Sequence, residues 1–145
     1  MNNKGQMLIE AALILPFLFL LLFGIVDLSR YFYTLNSVCS AAGAGARAAS
    51  LQVPPPTGVQ SGQLSSPANS IERAISSNLF TYINLDEVTY DLTITDSSGN
   101  VVTRAAQSGD QITVTVRWPK FTMITPLISR MIPADATGAA SMRYE

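Results

Sequence analysis

Glu10 is the residue in this sequence whose chemistry most needs a reason. It lies inside an apolar stretch that begins at Met7 and continues to Val26. An uncompensated carboxylate there costs about 3 kcal/mol on membrane-insertion scales, and acids inside spans carry function by default. If the chain is cut between Gly5 and Gln6, a new α-ammonium appears four residues before Glu10. The carboxylate could then pair with its own amine or with that of a neighbouring subunit. At contact distance in a low dielectric, that attraction offsets much of the burial cost. A blander reading has the carboxylate reaching back one turn to the head-group region.

The remaining candidates are weaker. Cys39 is the single cysteine, which excludes an internal disulfide and any thiolate cluster for a metal. It is read as a small packed helix residue rather than as a reactive thiol or an intermolecular bridge. Asp86, Glu87 and Asp91 lie close in sequence, but no loop of alternating oxygen ligands frames them, so a solvated face is expected. Asp27 and Arg30, at i and i+3, form an expected interfacial pair. The chain has no histidine, and its lysines are Lys4 and Lys120. Few catalytic combinations survive those absences, so no enzyme, cofactor or metal is expected. A net charge of −1 supplies no basic excess for nucleic acid, and no small-molecule substrate is evident.

These residues must be positioned by a chain of 145 residues that is 48% hydrophobic and 13% charged. Such low charge points to a segment that avoids water. Met7 to Val26 as a helix would be about 30 Å long, the thickness of a bilayer core. It carries Pro16 and Gly24 as helix-weakening residues, and Pro16 should bend it or loosen its ladder. Lys4 on the amino-terminal side predicts a cytoplasmic N-terminus by the positive-inside rule. A cleaved secretory signal is disfavoured by the length of the run and by Glu10. Past Asp27 no proline occurs until residue 54. Tyr31, Phe32 and Tyr33 lie where an aromatic belt would be. One helix is therefore expected from Gln6 to Ser50. Its small residues Ala42, Gly43, Gly45, Ala46 and Ala49, with Gly24 nearer the membrane centre, suit close helix packing. They suit a low-bulk cover under the protein's own sheet equally well.

Residues 51–68 have linker composition, rich in Pro, Gly and Ser. Asn69 with Glu72 makes a capping box that opens a short amphipathic helix bearing Ile71, Ala74, Ile75 and Leu79. Val88, Tyr90, Leu92 and Ile94 alternate with polar residues as a half-buried strand. Val101 to Arg104 is expected to return as its partner. Ile112, Val114, Val116 and Trp118 make the strongest strand, which Pro119 ends. A loop with a helical turn at Pro126 to Met131 and a last strand over Ala136 to Tyr144 complete the reading. The expected fold is α+β. It joins a long transmembrane and stalk helix to a small antiparallel sheet with a short covering helix.

The pattern Gly5-Gln6-x-x-x-Glu10-x-Ala12-x-x-x-Pro16, then Gly24-Ile25-Val26-Asp27, resembles the TadE-like minor pilins (pseudopilins) of tight-adherence pilus systems. So do Ala46-Arg47-Ala48-Ala49, and in the carboxyl half Ile112 to Val116, Pro119, Thr125-Pro126-Leu127 and Ala139 to Glu145. The resemblance covers residues 4–50 and 111–145 and leaves 51–110 undiagnosed. It implies a pilin-like fold and a prepilin leader, residues 1–5, removed by an inner-membrane prepilin peptidase between Gly5 and Gln6. It implies a role for Glu10 in processing or assembly of a Flp-type IV pilus for surface attachment. The implied partners are other pilin subunits, inner-membrane assembly proteins, the peptidase and membrane lipid. The implied layout is a span at 6–27, a stalk at 28–50, the linker at 51–68 and an extracytoplasmic head at 69–145. The implied location is the inner membrane, crossed once, with entry into the pilus left open. Ala11 stands where main filament subunits carry an aromatic, and the chain is longer than those subunits, so a minor component is expected.

An uncleaved single-pass protein with a periplasmic binding head is the competing reading. A secreted enzyme is a third, disfavoured by the missing catalytic groups.

Overall fold

The computed structural model describes residues 3–124 and 135–145. Helix α1 runs Asn3–Ser50, and helical geometry continues unbroken through Pro16. At 1.5 Å per residue its 48 residues measure about 72 Å. Strand β1 is Gln60–Gln63, helix α2 is Ser70–Asn78, and strands β2, β3 and β4 are Thr89–Thr95, Gln111–Trp118 and Ala136–Arg143. The strands form one antiparallel sheet in the order β1-β2-β3-β4.

Period-two patterning sets the sheet's faces. Tyr90, Leu92 and Ile94 of β2 lie opposite Val116, Val114 and Ile112 of β3, all buried. On β4 the same face carries Ala136, Gly138, Ala140 and Met142. The other face presents Thr93, Thr113 and Ser141 in register. An isolated small sheet with one apolar face is marginal in water and needs a cover. The carboxyl part of α1 supplies it: Val38, Ala41, Ala42, Ala46 and Ala49 are fully buried against β3, β4 and α2. The alanines keep the helix low, so the sheet's bulkier valines and isoleucines fill the interface.

The Asn69–Glu72 capping box forms as its sequence predicts, and α2 buries Ile71 and Ile75. Two expectations change. Val101 to Arg104 is not a strand; it makes a single bridge, Val101 to Thr95, and Val102 donates to the Ile94 carbonyl. On the edge of β2 opposite β3, strand β1 already pairs with Thr89 to Leu92, so Val101-Val102 reaches only the last two residues of that edge. The Pro/Gly/Ser-rich stretch contains β1, and its Pro56 carbonyl accepts from Ala106. Backbone pairing and the fully buried side chain of Leu64 anchor this segment, which has no periodic apolar pattern to reveal it. The expected helical turn at Pro126 to Met131 lies outside the described residues.

Candidate functional site

Residues 7–23 of α1, Glu10 included, are all exposed. The helix is long and apolar enough to be a candidate single membrane span near the N-terminus. Water cannot solvate such a surface cheaply, at roughly 25 cal/mol per Å² of apolar area, so the segment is consistent with membrane anchoring. Gly5 is exposed, and a Cβ built on it meets nothing within 4 Å. The described fold therefore gives no packing reason for glycine there.

At the point where the apolar run ends, the head closes on the helix. Asp27 is fully buried and accepts a hydrogen bond from the Ile124 amide at 3.0 Å. Its carboxylate lies 3.7 Å from the Arg30 guanidinium, so the expected i, i+3 pair is present. The aromatic residues beyond pack against the head. Tyr33 stacks on Phe80 with ring centroids 4.0 Å apart, and Tyr31 meets Phe121 edge-on at 5.6 Å. Trp118 bridges Tyr82 and Phe121. The Tyr82 hydroxyl bonds to Thr34 at 2.6 Å, while Ser37 accepts from the Phe80 amide. Loop residues 80–82 and 121–124 thus grip successive turns of α1.

Farther along, Ala42, Ala46 and Ala49 pack inside the head. A Cβ on Gly45 would meet Ile75 at 2.6 Å and Val114 at 3.2 Å. A Cβ on Gly138 would lie 2.6 Å from the Cys39 backbone nitrogen, so β4 touches α1 with no room for a side chain. Of the proposed packing positions, Gly43 faces open space and Gly24 is half-buried. The Cys39 side chain is exposed, contrary to its reading as a packed residue: its backbone, not its thiol, meets the sheet.

One comparison decides what this arrangement resembles. Residues 5–47 match the family model of TadE-like proteins. The match covers the exposed helix, the gripped turns and most of the alanine-rich cover. It is consistent with a TadE-like protein of the tight-adherence pilus system, a family of structural, pilus-associated proteins. No curated protein and no solved structure matches the chain.

Beyond the TadE-like segment, the head's acids hold structure. Glu87 accepts from Lys120 at 2.9 Å and from Trp118 at 3.2 Å. Those bonds hold its carboxyl below the usual range. Burial works to raise Glu72, but bonds from Ala68, Tyr90 and Asn69 outweigh it and hold the carboxyl low. Burial, then the Glu72 carboxylate, push the Tyr90 hydroxyl up. Asp110 is buried and receives two bonds from Arg104, at 2.5 and 3.1 Å, and one from the Gln107 amide. No group of three metal-ligating side chains occurs among the described residues. Sequence reasoning missed Gly138 and the tethering role of Asp27. The signal for Gly138 was present: the inward face of β4 reads Ala136, Gly138, Ala140, the small complement of a small-residue helix.

Proposed function

We propose that this chain is a minor pilin, or pseudopilin, that takes part in assembling a tight-adherence (Flp-type IV) pilus for surface attachment. In this reading a prepilin peptidase removes residues 1–5, and Gln6 becomes the first residue of a helix that crosses the inner membrane. The N-terminus starts on the cytoplasmic side and the head stands outside. Other pilin subunits and inner-membrane assembly proteins are the partners. The observation that carries the reading is the continuity of one helix. Its exposed apolar part begins just after Gly5 and contains Glu10, and its far part is the core of the head. The TadE-like match over residues 5–47 supports the same reading. Gly5, which the described fold does not require, has its use in recognition by a processing enzyme.

N-terminal sequencing of the protein from native membranes tests this. A chain beginning at Gln6 is expected. An intact Met1, with the host's prepilin peptidase present, would overturn it and favour the uncleaved single-pass protein. That alternative has one feature in its favour, a recess of about 450 Å³ lined by Asp96, Ser97, Gly109, Gln111, Ser141 and Arg143.

A further inference from the structure

Met7 to Val26 fills a bilayer core of about 30 Å, which puts residue 27 at the edge of the hydrocarbon. Asp27 is the residue to which the Ile124 amide is bonded. The loop after β3 is therefore held at the level where the helix leaves the hydrocarbon, not at the end of a free stalk. The head-group layer on each side of the core is roughly 5–8 Å deep, the rise of about three to five helical residues.

Among the described residues, the protein displays large apolar and aromatic side chains around this level, with Ser29, Arg30 and Thr122 exposed among them. Ile124 is 59% exposed, Leu28 and Phe32 are exposed within that rise of the helix, and Tyr33 and Tyr82 are exposed just beyond it. Large apolar side chains set among a few polar and cationic ones suit the head-group layer, and tyrosine is enriched at membrane interfaces. Two acids near this rim are engaged. Asp27 is buried against Arg30 and the Ile124 amide, and Glu87 is bound by Lys120 and Trp118. The cations Arg30 and Lys120 keep their outer parts exposed.

We infer that this rim is a second membrane contact, seated in the head-group layer of the leaflet from which α1 emerges. The occupant is the lipid surface itself, and the argument is continuity: the rim begins where the exposed apolar helix ends. The head then stands on the bilayer in one orientation, held by α1 and by the rim together. This rests on the reading of residues 7–26 as a span.

The test uses the full chain in liposomes, with Cys39→Ser as background and an environment-sensitive fluorophore on Ile124→Cys or, as control, on Val101→Cys. Val101 is 60% exposed and lies in the turn after β2, away from the rim. Flotation after an alkaline wash reports the span independently; protein that does not float overturns the span reading and this inference with it. In floated protein the label at 124 is expected to emit to the blue of the label at 101. A head-group nitroxide lipid should quench it several-fold more than the label at 101. Equal, water-like emission and equal quenching at the two positions would overturn the rim contact and leave the span standing. A label at 124 that is blue-shifted yet unquenched by lipid would show a protein neighbour there, and would overturn it too. Trp118, the single tryptophan, gives a second reading in the unlabelled chain: it contacts Tyr82 and Phe121 and should be quenched by the same lipid.

Discussion

The amide of Ile124 donates to the carboxylate of Asp27 across 97 positions of sequence, at 3.0 Å. This bond joins the loop after β3 to the helix at the end of its apolar run, and Asp27 is fully buried in making it. A charged acceptor makes a strong bond, and a buried partner left unsatisfied costs about 1–3 kcal/mol. Asp27→Ala is therefore expected to destabilise the head by about that amount. Asp27→Asn keeps an acceptor and should recover part of it. Urea unfolding of the full chain in detergent, followed by Trp118 fluorescence, measures both. Equal stability of Asp27→Ala and the natural chain would show that the bond contributes nothing.

Gly138 and Gly43 make opposite predictions. A methyl at Gly138 would press on backbone atoms of Val38 and Cys39, which cannot move aside without shifting α1 off the sheet. Gly138→Ala is expected to cost about 3 kcal/mol, the upper end for overpacking. Gly43 is helical and open, so Gly43→Ala should stabilise the helix by up to about 1 kcal/mol. If Gly43 instead serves close contact with another subunit's helix, Gly43→Ala will leave the head stable and lower pilus assembly. Urea midpoints beside a pilus count on the same variants separate the two roles.

What the sequence disclosed depended on whether an interaction was local. The long helix was legible because its apolar run has the length of a bilayer and no break follows until Pro54. The α2 start was legible because the Asn69–Glu72 capping box is closed within one turn. The strands β2 and β3 announced themselves by alternation. Strand β1 did not, because Gln60–Gln63 is held by its backbone pairing with β2 and has no apolar face of its own. Asp27 read as one half of an interfacial pair with Arg30, since nothing in its neighbourhood names Ile124 as a partner. The alanine and glycine run was ambiguous for a physical reason: small residues suit a sheet beneath them and a helix beside them equally. The structure assigns Ala42, Gly45, Ala46 and Ala49 to the first use.

Acid should loosen the head through Asp110. The Arg104 guanidinium, then the Gln107 amide, hold its carboxyl below the usual range. A folded value depressed below the unfolded value of about 3.9 gives stability that is present above that pH. It is lost as pH falls through the folded value. Glu72 acts in the same sense. The urea midpoint is expected to stay level from about pH 7 to 5 and to fall below about pH 4. Asp110→Asn should be less stable at neutral pH and show a shallower fall in acid. Parallel profiles for the variant and the natural chain would remove Asp110 from this explanation.

Glu10 makes the sharpest functional prediction. It is exposed on α1, within the segment that would cross the membrane. A carboxylate in that position costs about 3 kcal/mol, so replacing it cannot hinder insertion; Glu10→Ala should enter the membrane at least as well as the natural chain. The buried contacts between α1 and the head begin at Asp27, several turns farther along the helix, so the head should fold unchanged. What the variant loses is the acid that would meet the new amino terminus at Gln6, on its own chain or on a neighbour. Pilus assembly is therefore expected to fail while membrane fractionation and head stability stay normal. Glu10→Gln sharpens the comparison, since it keeps the size and hydrogen-bonding capacity and removes the charge. If charge pairing is the mechanism, the Glu10→Gln variant fails like the alanine variant. If either variant still builds pili, Glu10 is a tolerated acid near the head-group layer, and the pairing argument is wrong.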